Sequence, residues 1–297
     1  MPNIQDYVLW RGDLPIRQVP LCDVDALLLS YLSYMRYDGI VGDSFEGEGV
    51  RLADAAQELL DRNERDKMPL AYNAKEDRKL LAALIQSVRF ADMRLVGYVN
   101  QVDDKAEEQF SGITFLIGDG SAFVAFRGTD DAMVGWKEDF NMSFEMQVPA
   151  QRDAVTYVEK ASAALRCPLR VGGHSKGGNL AAYAGMFVSD ETREYIQTVY
   201  NFDGPGFNEA TISSPDFGKV DMRVRTFVPQ CSMVGILMWH REPFTIVRSD
   251  GVGVFQHDAY TWQIMGGSFL TLRERTGHSH FADNTIKHWL EELTPDM

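Results

Sequence analysis

Cysteine is scarce in this chain. Cys22, Cys167 and Cys231 are its only three among 297 residues. So small and widely spaced a set proposes no disulfide framework, though it leaves room for one bond or a reactive thiol. Long apolar runs are also missing, so no segment approaches a membrane span. The start, Met1-Pro2-Asn3-Ile4-Gln5-Asp6, has neither the basic nor the apolar part of a secretory signal. Cytoplasmic residence is the expectation. Basic residues are outnumbered, 29 Lys and Arg against 43 Asp and Glu, for a formal charge of -14. With no basic run either, a nucleic-acid partner is not expected. No cluster of metal-ligand residues stands out, so neither a metal nor another cofactor is expected. Nothing in the composition sets an oligomeric state.

What is present reads as globular. Hydrophobic residues make up 45% and charged residues 24% of the chain, enough to bury a substantial core. Residues 24–35, 53–61 and 75–90 have helical periodicity, with Leu80, Leu81, Leu84, Ile85 and Val88 expected in the core. From there the pattern changes to short apolar runs at 95–101, 112–117, 121–126, 169–172, 198–202, 222–228 and 244–247, read as strands. Helices are expected at 152–165 and 176–187. Alternation of this kind predicts a three-layer α/β fold with a mostly parallel central sheet. The expected organisation is one domain over residues 1–297, with 1–90 forming a helical N-terminal extension packed on it.

The most informative stretch lies at the junction of one such strand and helix. Gly173-His174-Ser175-Lys176-Gly177 has the G-x-S-x-G form, with apolar residues before it and a small-residue helix pattern after it. That context describes a sharp turn presenting a serine hydroxyl. A serine hydroxyl attacks well only when a base removes its proton, and a histidine does this best when an acid fixes its orientation. Ser175 is therefore the candidate nucleophile. His257, in a loop beyond the last strand, is the leading base; anchoring that loop is its plainer alternative role. His174 should diverge from Ser175 at a tight turn and is read as a supporting pocket residue. His240 could line the pocket, while His278, His280 and His288 fit a polar-to-helical tail.

For the acid, Asp203 follows the run at 198–202 and would stand at a strand end facing the His257 loop. Ser175, Asp203 and His257 then follow the expected chain order. Asp203 could instead cap the turn at Gly204-Pro205-Gly206, and Asp216, Asp250 and Asp258 are further candidates. An acyl-transfer site also needs oxyanion donors. The Thr129 amide or hydroxyl, in a turn after 121–126, and the Lys176 backbone amide could converge on one oxygen. Trp136 and Asp139 could brace that turn. The apolar run containing Met233, Val234, Leu237 and Trp239 could wall an acyl pocket or simply pack in the core.

These residues sit within a wider likeness. The chain resembles a bacterial lipase-like family of uncharacterised function, within the class-3-lipase-like α/β hydrolases. The blocks that carry the likeness include Asp6–Trp10, Asp25–Tyr34, Phe126-Arg127-Gly128-Thr129-Asp130, the serine pentapeptide, Phe202-Asp203-Gly204-Pro205-Gly206, Ser232-Met233-Val234-Gly235 and Gln256-His257-Asp258-Ala259-Tyr260-Thr261-Trp262. The resemblance implies a three-layer hydrolase fold with Ser175 as nucleophile, His257 as base and Thr129 in the oxyanion loop. It also implies an acid after the following strand, near Pro229-Gln230-Cys231-Ser232. No carboxylate occurs in that stretch, which points to relocation to Asp203 or to loss of efficient catalysis. The expected function is hydrolysis of a small-molecule or lipid-like carboxylic ester through an acyl-serine. The competing reading is a noncatalytic binding or interaction protein on the same scaffold.

Overall fold

In a computed structural model of the chain, residues 1–71, 73–103, 108–129 and 148–274 are described. Four helices come first: α1 (Ile4–Arg11), α2 (Asp23–Leu32), α3 (Leu52–Arg65) and α4 (Ala74–Ile85). Asn3 caps α1 by accepting from the Gln5 and Asp6 amides, while the Asp6 carboxylate returns to the Asn3 amide. Helix α4 stops earlier than the periodicity suggests. Beyond it the Ser87 hydroxyl accepts from the Arg89 and Phe90 amides, which turns the chain. Leu80, Leu81 and Leu84 are buried and Ile85 packs against the core, but Val88 is 61% exposed. Past the helix end its position no longer lies on the buried stripe, so the expectation for Val88 is corrected.

A nine-stranded sheet follows, ordered β1 (Val50–Arg51), β2 (Arg94–Asp103), β3 (Glu108–Leu116), β4 (Ala122–Phe126), β5 (Leu169–His174), β6 (Ile196–Phe202), β7 (Val224–Pro229), β8 (Phe244–Val247) and β11 (Thr271–Leu272). The short pair β9 (Ile264–Met265) and β10 (Ser268–Phe269) lies outside it. Strands β1 to β4 run antiparallel, β4 to β8 parallel, and β11 closes the far edge antiparallel to β8. Helix α5 (Pro149–Leu165) precedes β5, and α6 (Lys176–Phe187) and α7 (Asp190–Tyr195) connect β5 to β6. The short α8 (Glu209–Ile212) and α9 (Pro215–Gly218) precede β7.

Strand alternation divides the core in two. On β4, Phe123 and Ala125 face a cluster shared with α1 to α4, whereas Ala122, Val124 and Phe126 face one shared with α5 and α6. Tyr200 and Phe202 join the first cluster and Val199 the second. Each fully buried Phe contributes roughly 1.5–3 kcal/mol by leaving water. The N-terminal helices thus form the layer over one sheet face, and the architecture is three-layered, helix–sheet–helix.

That N-terminal layer carries a buried ion pair. The Arg89 Nε donates to Asp25 Oδ1 at 2.8 Å, and both side chains are fully buried. Tyr7 and the Cys22 amide donate to the same carboxylate, and Arg89 also donates to the Val19 and Pro20 carbonyls. Every charge is met, as burial demands. No helix among the described residues is long and apolar enough to cross a membrane.

Candidate active site

The carboxyl ends of β4, β5 and β6 meet at one edge, where the loop after β8 returns. Ser175 sits between β5 and α6 with φ +59° and ψ -136°. A non-glycine residue in this region is strained by about 1–3 kcal/mol and needs its surroundings to hold it. Here the Ser175 amide donates to the Phe202 carbonyl at 2.9 Å, and the Gly178 amide donates to the Ser175 carbonyl at 2.8 Å. The flanking glycines are required by close approach. A Cβ on Gly173 would lie 2.2 Å from the Gly177 carbonyl carbon, and one on Gly177 would lie 2.1 Å from the Phe126 carbonyl oxygen.

Asp203 follows β6, also at positive φ, +52°. Its amide donates to the Phe227 carbonyl at 2.8 Å, which pins it against the neighbouring strand β7. The carboxylate is fully buried and saturated with donors. Oδ1 accepts from the Ser232 hydroxyl and, at 3.1 Å, from the Gly235 amide. Oδ2 lies 2.7 Å from His257 Nδ1. The Gly235 amide is shared with the Ser232 oxygen at 3.0 Å. A Cβ on Gly235 would lie 2.3 Å from Asp203 Oδ1. The turn after β7, where the resemblance implies an acid, supplies a hydroxyl and an amide that hold one.

His257 ends a 3₁₀ turn, Gly253–His257, with its side chain 27% exposed. Its neighbour Gln256 accepts from the Cys231 amide through its side chain and from the Trp262 indole through its carbonyl. His174 is buried, with both ring nitrogens engaged. Nε2 lies 2.7 Å from the His257 carbonyl oxygen and Nδ1 lies 3.0 Å from the Tyr34 hydroxyl. A carbonyl can only accept, so Nε2 carries the proton and Nδ1 accepts from Tyr34. Burial first, then electrostatic interaction with His257, holds the His174 pKa well below 6.5, so the ring is neutral. The two histidine rings lie 4.4 Å apart, centre to centre.

Of the other candidates, the turn at Gly128 lies against Ser175: a Cβ there would meet the Ser175 Cβ at 3.0 Å. Thr129 is the residue that follows Gly128 in this turn, and it is half-buried. Lys176 is the first residue of α6, where amides point outward from the helix start. Its side chain is buried and donates to the Gln109 carbonyl at 3.1 Å. Met233, Val234 and Leu237 are half-buried, and Trp239 is 47% exposed. Trp239 pairs with Phe207 through two 2.9 Å backbone bonds, so this apolar stretch crosses the loop that follows Asp203. His240 is held by Glu242 at 3.1 Å. Asp216 pairs with Lys219, Asp250 with the terminal amine, and Asp258 caps the next turn through the Tyr260 amide. Trp136, Asp139, His278, His280 and His288 lie outside the described residues.

Sequence reasoning missed Ser232 and Gly235 as carboxylate partners, although their Ser-x-x-Gly block is among those that carry the resemblance. It also missed Tyr34, and the engagement of His174 with the His257 backbone. Among known proteins, the model of a family described as Mbeg1-like matches residues 84–297. No curated protein matches the chain. Solved structures similar to it include a point mutant of MDLA from Penicillium cyclopium, 13% identical over 89% of this chain and 92% of that one, with a TM-score of 0.47. Lipase II from Rhizopus niveus is 13% identical over 66% of this chain and 77% of that one, TM-score 0.43. A Rhizomucor miehei lipase–propeptide complex is 14% identical, TM-score 0.38; the match takes in 53% of this chain and 57%, under two thirds, of that one.

Proposed function

The chain belongs to the Mbeg1-like family, and we propose that it is a serine hydrolase acting on carboxylic esters. The observation that carries this reading is the 2.7 Å contact between His257 Nδ1 and the fully buried Asp203 carboxylate. It joins residues 54 positions apart, beside a serine held in a strained turn. A carboxylate there fixes the proton on Nδ1, so the Nε2 lone pair is free to act as base. His257 removes the Ser175 proton as the hydroxyl oxygen attacks the ester carbonyl. The Lys176 and Thr129 amides receive the oxyanion. The tetrahedral adduct collapses, the alkoxide leaves with the proton from His257, and an acyl-serine remains. His257 then takes a proton from water, whose oxygen attacks the acyl carbon; as the adduct collapses, His257 returns that proton to the Ser175 oxygen, releasing the acid and free Ser175.

The half-buried side chains of Met233, Val234 and Leu237, near the Asp203 loop, support a small or lipid-like acyl group. A p-nitrophenyl ester series of increasing chain length tests the proposal. Turnover by the wild type, lost in Ser175→Ala and His257→Ala, is expected. A folded wild type inert on the whole series would favour a noncatalytic binding protein on this scaffold.

A further inference from the structure

Resting on that reading, we propose that the N-terminal helical layer is the mount of the catalytic histidine, with Tyr34 and His174 as positioning residues and a Tyr31–Asp77–Tyr260 cluster as a second anchor of the same loop. His257 lies in a segment with little regular structure of its own: two 3₁₀ turns, Gly253–His257 and Ala259–Thr261, joined at Asp258. Such a loop would sample many imidazole positions unless it were tied down. Asp203 and the Cys231 amide hold it from the sheet side, and two further ties lead to the N-terminal layer.

The first begins at Tyr34, just beyond the end of α2. Its hydroxyl faces His174 Nδ1 at 3.0 Å and the His174 carbonyl at 3.2 Å. The His257 carbonyl, 2.7 Å from Nε2, sets the tautomer, and Tyr34 holds the opposite side of the same ring. One clasp therefore holds the backbone of the very residue whose Nδ1 is held by Asp203. The second lies three residues on. The hydroxyls of Tyr31, from α2, and of Tyr260 both donate to Asp77 Oδ1, at 2.9 and 2.8 Å, and the Ala71 amide donates to Oδ2 at 3.1 Å. Tyr31 and Tyr260 also pack edge to face, 4.9 Å between ring centres. Tyr31 stands 5.7 Å from Tyr34, and Tyr34 stands 5.8 Å from His174, so the two clasps form one continuous aromatic row.

Tyr31, Tyr34 and Asp77 all precede the stretch that the family model matches. The layer acts on the imidazole through the loop that carries it, so its loss should act on kcat and leave KM alone. A shift of the ring by about 1 Å is enough to cost up to about 100-fold.

The test uses the full-length protein with Tyr34→Phe, Tyr260→Phe, His174→Ala and His174→Gln. Each is assayed for p-nitrophenyl ester kcat and KM, for its rate of labelling by a fluorophosphonate, and for thermal unfolding. The expected result is a fall of about tenfold or more in kcat and labelling rate for both Tyr→Phe variants at unchanged KM, in protein still folded at the assay temperature. His174→Gln, which keeps a donor for the His257 carbonyl, should recover part of what His174→Ala loses. The Phe variants remove one oxygen each and keep the packing, so they decide the matter if His174→Ala does not fold. Wild-type labelling and turnover with unchanged kcat in both folded Phe variants would overturn the mount. A shift in unfolding temperature alone would do the same. A wild type that neither labels nor turns over would instead overturn the hydrolase reading beneath it.

Discussion

Replacing Asp203 by asparagine swaps one atom in a site whose hydrogen bonds dictate the outcome. Oδ1 accepts from the Ser232 hydroxyl and the Gly235 amide, so the asparagine oxygen must stand there. The amide nitrogen is then left at the Oδ2 position, 2.7 Å from His257 Nδ1. Two N–H groups cannot face each other, and the imidazole must move its proton to Nε2. The lone pair that should receive the Ser175 proton is lost. The same substitution in a serine-protease triad lowers kcat by about 10⁴-fold, or about 5 kcal/mol at 1.36 kcal/mol per decade. A loss of that order is expected here, in ester kcat and in the rate of fluorophosphonate labelling. Stability should change little, because asparagine is isosteric and its oxygen keeps both Oδ1 partners. Asp203→Ala would differ, leaving the hydroxyl, the amide and the imidazole without their acceptor, at roughly 1–3 kcal/mol for each group left unsatisfied. Asp258→Asn, whose carboxylate caps the neighbouring turn, serves as the control and should stay near wild type. A folded Asp203→Asn within tenfold of wild-type kcat would refute the reasoning.

Other perturbations read other parts of the structure. Gly235→Ala puts a Cβ 2.3 Å from Asp203 Oδ1; it should cost about 1–3 kcal/mol of stability through overpacking and lower kcat, both measurable in one thermal and kinetic series. His174 is neutral when folded, its pKa well below 6.5 through burial and then His257. Its contribution to stability is therefore present above pH 6.5 and is lost as pH falls and the unfolded chain takes up the proton. The slope is at most about 1.4 kcal/mol per pH unit until the folded pKa is reached; urea unfolding at stepped pH should show this component in the wild type and its absence in His174→Gln. Arg89→Leu strands the buried Asp25 carboxylate and should cost about 3–5 kcal/mol in unfolding free energy, where a loss below 1 kcal/mol would mean the pair is dispensable.

The features legible in the sequence were those set by neighbours along the chain. The Ser175 turn is one: Gly173 and Gly177 flank it at fixed spacing, and an apolar strand and a small-residue helix bracket it. Strand β8 at Phe244–Val247 also emerged from local pattern alone. Features that depend on distant partners were less legible. Four aspartates could be named as acid from their local context. What sets Asp203 apart is the Phe227 carbonyl and the Ser232–Gly235 turn, which the pairing of β6 with β7 brings to it. Val88 continued a helical stripe on paper, yet the chain turns at Ser87 and Arg89 points inward to Asp25. The exposure of Trp239 was hidden for a similar reason, since an apolar run does not reveal that it crosses a surface loop. Tyr34 ends the Asp25–Tyr34 block of the resemblance, but nothing in that block marks a role for it; the role comes from its contact with His174, 140 residues away, closed by the packing of α2 on β5.

The central claim is that Ser175 is a nucleophile activated by His257 and Asp203. The most direct measurement is mass mapping of the adduct formed by a fluorophosphonate on the full-length protein. The expected result is one phosphonylated peptide carrying the modification on Ser175, absent in Ser175→Ala and strongly slowed in His257→Ala. Labelling that persists in Ser175→Ala, or a folded wild type that takes up no label, would contradict it.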